Sequence, residues 1–367
     1  MTKGQKLLFA TMMTVALSFG YMFHFFPEHH FERLHIFLFN LCTGGTILLF
    51  FTEGTNEPSI RVKTFFLLSF VYAVFSFLEL YAPAIVISLC MIPIVEHVRI
   101  KKFSVFPSDF FTTKVTTALK FHQAALLCLS IGLFISAFAI INEEYYRVLD
   151  FEKLTLNTFF LGFSFPISLV TFSLIFAFMY KAKTDLIRYL KISSFWVISG
   201  GVIIFFIFIL FENVIMELVM SSVLFIAVSG VLIMYITMGQ KEQQKTFLTS
   251  GIVFLTLTAI TGVVYILLYI THLDSPEHKS LVLNYHRILA LYGWNLSGLA
   301  VICRFKDFPI RLHSGKTILL HWITVGLLAP LGYYSPIAAV AAVIAYAIFL
   351  RSLFFSKGTE RVPTFER

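Results

Sequence analysis

Apolar residues in this chain come in runs of about twenty, separated by short polar or basic stretches, nearly from one end to the other. A run of that length, wound as a helix rising ~1.5 Å per residue, matches the hydrocarbon thickness of a bilayer. Twelve such helices are predicted, over 7–26, 34–51, 64–81, 82–97, 120–141, 154–180, 192–211, 215–238, 247–271, 281–303, 316–333 and 335–354. The fourth is short and carries Pro93, so a tilted or broken helix is expected there. Backbone amides at membrane depth must be paired within their own segment. The predicted fold class is therefore all-α, a polytopic bundle forming one transmembrane domain over 1–367.

Composition sharpens this picture. Of 367 residues, 58% are hydrophobic and 13% charged, far from the ~25% charged residues of a soluble domain. The segments between the runs are too short to hold a soluble domain. A soluble enzyme, a single-span receptor and an outer-membrane barrel are excluded. Lys3 and Lys6 precede the first apolar run as in a signal peptide, but no small-x-small cleavage site follows, and a retained first helix is expected. Cys42, Cys90, Cys128 and Cys303 all fall in apolar stretches, so no disulfide framework is expected.

The net charge of +8 would suggest nucleic acid in a soluble protein. Its distribution argues otherwise. With the N-terminus in the cytoplasm and each run crossing, only Arg33, Arg147, Lys153, Lys279 and Arg287 fall outside, and the other 23 of 28 Lys and Arg fall inside. This is the positive-inside pattern, with both termini cytoplasmic in a bacterial-type inner membrane. The basic loops then meet anionic lipid, and no nucleic-acid footprint is expected. The segment 97–120 is expected to lie along the inner interface through Phe103, Phe106, Phe110 and Phe111.

Orientation sorts the histidines. His24, His29, His30, His35, His272, His278 and His286 fall at the outer side, and His97, His122, His313 and His321 at the inner side. Ionisable groups within a span are costly and tend to face the interior, which makes His24, His35 and His286 candidates for function. Around His286 the sequence reads NYHRILALYGWNLSGL, and on a helix His286, Ala290, Gly293 and Ser297 share one face. A strip of small side chains lets another helix approach closely; it also leaves room for a flat macrocycle ligated by the histidine. His35 in ERLHIFLFNLCTGGTILLFF likewise precedes small residues at similar depth, so the two could form a facing pair of ligands. His122 and His321 form an inner-side pair, candidates for a second cofactor site or a path to the inner face. His272 and His278, beside Asp274 and Glu277, could bind a transition metal or simply be a solvated loop.

The stretch HRILALYGWNLSGL resembles the His-x-x-Leu-x-x-(Phe/Tyr)-Gly-Trp pattern of the haem–copper oxidase subunit I superfamily and of NnrS-type haem–copper membrane proteins. The resemblance implies haem or metal ligation at His286, with His35 as counterpart. No span carries the His-Pro-Glu-x-Tyr signature of a copper-binding oxidase centre, so the resemblance points to a lone haem, or to copper or another transition metal in a smaller site.

Phosphate loops, nucleophile motifs, C-x-x-C-H haem attachment and desaturase histidine boxes are absent from the sequence. The leading expectation is a membrane redox protein, possessing or serving oxidoreductase activity, with a histidine-ligated site in the outer half of the bilayer. His286, His35 and His24 would be its ligands, Gly293 and Ser297 the surface that admits the cofactor, and quinone or a periplasmic carrier its partner. The alternative is a secondary transporter of 6+6 helices, proton-coupled through Glu79, Glu212 or Glu217. A third reading is a membrane anchor for other subunits.

Overall fold

The computed structural model describes residues 1–29, 31–149, 153–154, 162–271, 275–307, 312 and 314–357. The described residues are helical throughout, with a single isolated bridge between Met179 and Gly239 and no strand. The helices are α1 (Lys3–Phe19), α2 (Arg33–Glu53), α3 (Ile60–Phe77), α4 (Tyr81–Lys102), α5 (Thr117–Tyr146) and α6 (Gly162–Ala177). They continue with α7 (Asp185–Leu210), α8 (Val214–Met238), α9 (Lys245–Ile270), α10 (276–304), α11 (Gly315–Leu331) and α12 (Pro336–Phe355). Of these, α2, α3, α4, α5, α7, α8, α9 and α12 are long and apolar enough to cross a membrane.

Short polar stretches start many of these helices. Thr2 and Gln5 form a reciprocal capping box on α1, and Ser59, Thr116, Thr184, Asn213, Ser275 and Ser335 each accept a first-turn amide through the side chain. Such a cap supplies one of the amide partners that a helix start otherwise lacks. The structure differs from expectation at several points, including the start of α7 at Asp185 and the end of α5 at Tyr146. The first helix ends at Phe19, because Gly20 and Tyr21 turn the chain into a single 3₁₀ turn over Met22–His24. The fourth helix runs unbroken through Pro93 for 22 residues; α3 and α5 pack against it, and Ser88 bonds the Leu133 carbonyl of α5 at 2.8 Å. Neighbouring helices make a lost amide tolerable in this way. The fourth helix also takes in the start of the expected interfacial segment, as far as Lys102, where buried Arg99 pairs with Glu96 and bonds the carbonyls of Ser104 and Val105.

The connections gather at two ends. At one end Lys6 and Arg304 both pair with Asp307, Lys306 bonds Asn56, and Arg304 bonds the carbonyls of Leu353 and Ser356. At the other, Tyr21 bonds the Ala329 carbonyl, His24 the Gly332 carbonyl, and Lys153 pairs with Glu212.

Burial divides the bundle into core and periphery. In α2, 89% of the apolar window is buried, against 17% in α7 and 22% in α8. The periphery exposes Ile203, Ile204, Ile207, Ile226, Ile233 and Ile236, a large apolar surface of the kind that a bilayer would cover. At the centre α2 and α10 meet, surrounded by α1, α3, α6, α9, α11 and α12. Glycines set the closest approaches. Gly132 of α5 lies against the Gly162 backbone of α6, and Gly298 of α10 against Thr171 of α6. Without a strong hydrophobic drive between helices in lipid, such close backbone packing is a main source of cohesion.

Gly132→Ala is therefore expected to lower stability by about 1–3 kcal/mol, since its methyl would press on backbone rather than on a side chain that can turn away. Gly200→Ala, in open surroundings on α7, should leave the melting temperature in detergent unchanged or raised.

Candidate functional site

Three of the helices at the core interrupt their regular winding next to a histidine. After His35, α2 widens into a π-helix over Phe37–Gly45; after His286, α10 does so over Leu289–Asn295; after His321, α11 does so over Trp322–Leu328. A π segment shifts hydrogen bonds from i−4 to i−5 and re-aims the side chains around it, and it is found frequently at functional sites. In α2 the Thr43 hydroxyl follows suit, bonding the Leu38 carbonyl five residues back at 2.7 Å.

His35 is buried. Its Nδ1 lies 3.1 Å from the Ala16 carbonyl of α1 and 2.8 Å from the hydroxyl of Tyr292 on α10. Gly20 permits this: a Cβ there would stand 3.0 Å from the ring nitrogen. A carbonyl only accepts, so the Ala16 contact requires the proton on Nδ1, with the phenol oxygen as a second acceptor. In the other tautomer Nδ1 accepts from the phenol and the Ala16 contact is lost. Nε2 of His35 has no hydrogen-bond partner among the described residues.

His286 is half-buried and faces α9. Its Nδ1–H donates to the Thr258 carbonyl at 3.0 Å, with the Thr261 hydroxyl 3.4 Å away and Gly262 under the ring. Here too Nε2 has no hydrogen-bond partner among the described residues. The face expected from the sequence is present: His286 meets Thr258 and Gly262, Gly293 meets Phe254, and Ser297 meets Gly251. Its partner is helix α9, running antiparallel. A Cβ on Gly293 would stand 2.5 Å from the Phe254 ring, so Phe254 fills the space that a macrocycle along this strip would need. Gly293 and Ser297 serve helix packing here. Nor do His35 and His286 point at one another through their Nδ1 atoms, which are held by α1 and α9 respectively.

The other expected histidines use Nε2 instead. His24 Nε2–H donates to the Gly332 carbonyl at 2.7 Å. His122 Nε2 lies 2.8 Å from the Thr52 hydroxyl, with the ring stacked on Phe51. His321 is fully buried between the rings of Phe349 and Phe247, and its Nε2–H donates to the Tyr292 carbonyl at 2.7 Å. His122 and His321 each sit in an aromatic nest of their own. His272, like Asp274, lies outside the described residues; His278 is exposed on the first turn of α10. Among the described residues, no group of three or more His, Cys, Asp or Glu side chains is placed to hold a metal ion.

The carboxylates considered for proton coupling lie at the end that holds His24. Glu79 and Glu212 occupy left-handed backbone, at φ 59° and 55°, where α3 and α7 stop. The amides of Leu80 and Asn213 reach back to Phe75 and Phe208, the helix-ending motif in which glycine is usual. Glu217 lies a turn further on, in α8, with one carboxylate oxygen buried and unpaired among the described residues.

Sequence reasoning missed Tyr292, which reaches His35 through its hydroxyl and His321 through its carbonyl. It packs against Phe39 and Tyr346, and the Tyr346 hydroxyl is buried without a partner among the described residues. It also missed Asn40, within the π segment of α2, fully buried with neither amide atom paired among the described residues. The available signal was an uncharged amide within an apolar run. Comparison with known proteins adds nothing to this geometry: no family model, curated protein or solved structure matches the chain.

Three substitutions follow. His321→Ala should cost about 3 kcal/mol or more, from the cavity between two phenylalanine rings and the undonated Tyr292 carbonyl. Tyr292→Phe, which keeps the ring volume, should cost only about 1 kcal/mol. Glu79→Gly should hold or raise the melting temperature by relieving the left-handed residue. Thermal unfolding in detergent reads all three.

Proposed function

We propose that this chain is a redox protein of a bacterial-type cytoplasmic membrane, crossing it twelve times with both termini inside, and that His35 and His286 are the ligands of its haem or transition-metal group. One observation supports the ligand assignment above the rest. Of the five intramembrane histidines singled out by sequence, these two anchor Nδ1–H on a backbone carbonyl and keep Nε2 without a hydrogen bond among the described residues. That is how a ligating imidazole is held: the distant nitrogen fixes the tautomer and the ring, and the other presents its lone pair. His24 and His321 hold the mirror arrangement, with Nε2–H on a backbone carbonyl. His321 is read as structural because its ring is enclosed between Phe247 and Phe349, His24 because it lies in the turn beyond α1, and His122 because its Nε2 is taken by Thr52.

The donor chemistry fits such a group; the small strip of α10 does not contribute, because Phe254 covers it. Bound at the two Nε2 atoms, the group would supply one-electron exchange. The chain's own part is to keep both imidazoles neutral and oriented, with Ala16 and Tyr292 steering His35, and Thr258 and Thr261 steering His286. Twelve crossings are supported by the gathering of odd and even connections at opposite ends, and the orientation by the basic bias of one set. Exchange with quinone, a periplasmic carrier or further membrane subunits belongs to this reading.

The test is a reduced-minus-oxidised optical spectrum with metal analysis on the purified protein. Wild type is expected to show haem bands or stoichiometric metal. His35→Ala and His286→Ala should lose them, and His122→Ala should retain them. Wild type free of both chromophore and metal would overturn the reading.

A further inference from the structure

At the end of the bundle that holds Lys6 and Asp307, a cavity of about 510 Å³ opens between the start of α5, the end of α6 and the start of α7. Its polar wall carries Lys114, Lys181, Arg188 and Lys191, together with Gln240, and no carboxylate lines it. Arg188 pairs with Asp185 at 3.0 Å, and Lys114, Lys181 and Lys191 have no ion-pair partner among the described residues. Lys191 is held in place by donating to the Tyr180 carbonyl at 2.7 Å. The wall is braced where the α6–α7 and α8–α9 connections meet, with Tyr180 N–H on the Met238 carbonyl at 2.9 Å and Gln240 N–H on the Phe178 carbonyl at 2.7 Å.

The start of α5 also favours an anion. Thr117 and Ala118, the first residues of the long helix α5, line the cavity with amides that no helical carbonyl can reach. The remaining wall is apolar, formed by Leu119, Phe176 and Ile192, so the site is cationic on one side and greasy on the other.

We propose that this cavity binds a phosphate-ester anion. The cations and free amides would take the phosphate oxygens, and the apolar wall would take the carbon chain next to them. The chemistry is shared by the headgroup of an anionic phospholipid and by a free phosphate compound.

Purified protein in neutral detergent can be titrated with phosphatidylglycerol, phosphatidylcholine and inorganic phosphate in separate arms, reading bound lipid by native mass spectrometry and the melting temperature in all three. Saturable binding of phosphatidylglycerol over phosphatidylcholine supports a lipid occupant, and binding of phosphate without lipid preference supports a free one. The K114Q/K181Q double variant should weaken either by roughly 25-fold, taking about fivefold for each charge removed. K114R/K181R should restore it. R61Q/K63Q, which removes the same charge from the first turn of α3, should leave it unchanged. Equal weakening by both neutralising pairs would mean diffuse surface charge alone and overturn the proposal, as would binding of neither phosphatidylglycerol nor phosphate.

Discussion

A polar group in the middle of this bundle has nowhere to turn but to its neighbours, and Tyr292 is where that constraint is met most completely. Its hydroxyl reaches His35 on α2, its carbonyl receives His321 from α11, and its ring lies against Phe39 and Tyr346. Each of the two hydrogen bonds offsets the cost of a buried polar atom that would otherwise go unpaired. Together they fix how α10 sits against α2, α11 and α12. The π segments belong to the same arrangement, because each re-aims the side chains of a helix that carries one of the histidines.

Close helix packing is the complement of this polar core. Where α9 meets α10, glycines and a serine allow the helices to nest, and Phe254 is seated over Gly293. The same nesting presents the Thr258 carbonyl to His286, so the packing face and the ligand candidate are one feature. A core rich in small residues thus performs two tasks: it brings backbones together, and it places carbonyls where imidazoles can use them. Several buried polar atoms have no partner among the described residues, among them those of Asn40, Gln123 and Tyr346 and Nδ1 of His321, and others are spread over α3, α7, α8 and α10. Each such atom is costly to bury, so the hydrogen bonds that are made weigh the more.

The legible part of the site was its faces; its partners were not. Helical periodicity put His286, Gly293 and Ser297 on one strip, and the strip is real, but whether a helix or a cofactor covers it depends on residues such as Phe254 nearly forty positions away. That His35 and His286 lie near the start of apolar helices was readable from their place in each apolar run. The direction of their rings was not, since Gly20 and Ala16 on another helix decide one and Thr258 the other. Tyr292 escaped notice because a tyrosine beside a Gly-Trp pair looks like ordinary aromatic packing until its two polar atoms are seen in contact with two histidines.

The sequence by itself determined the all-helical character, the approximate limits of most helices and the basic bias of alternate connections. These follow from local physics: a backbone at membrane depth must bond within its own segment, and apolar length and charge are read directly along the chain. Tertiary structure alone decided which ring nitrogen of each histidine is held, where the helices widen, and that Pro93 does not break its helix. Those outcomes rest on contacts between residues far apart in the chain, and a one-dimensional pattern carries no record of which groups will meet.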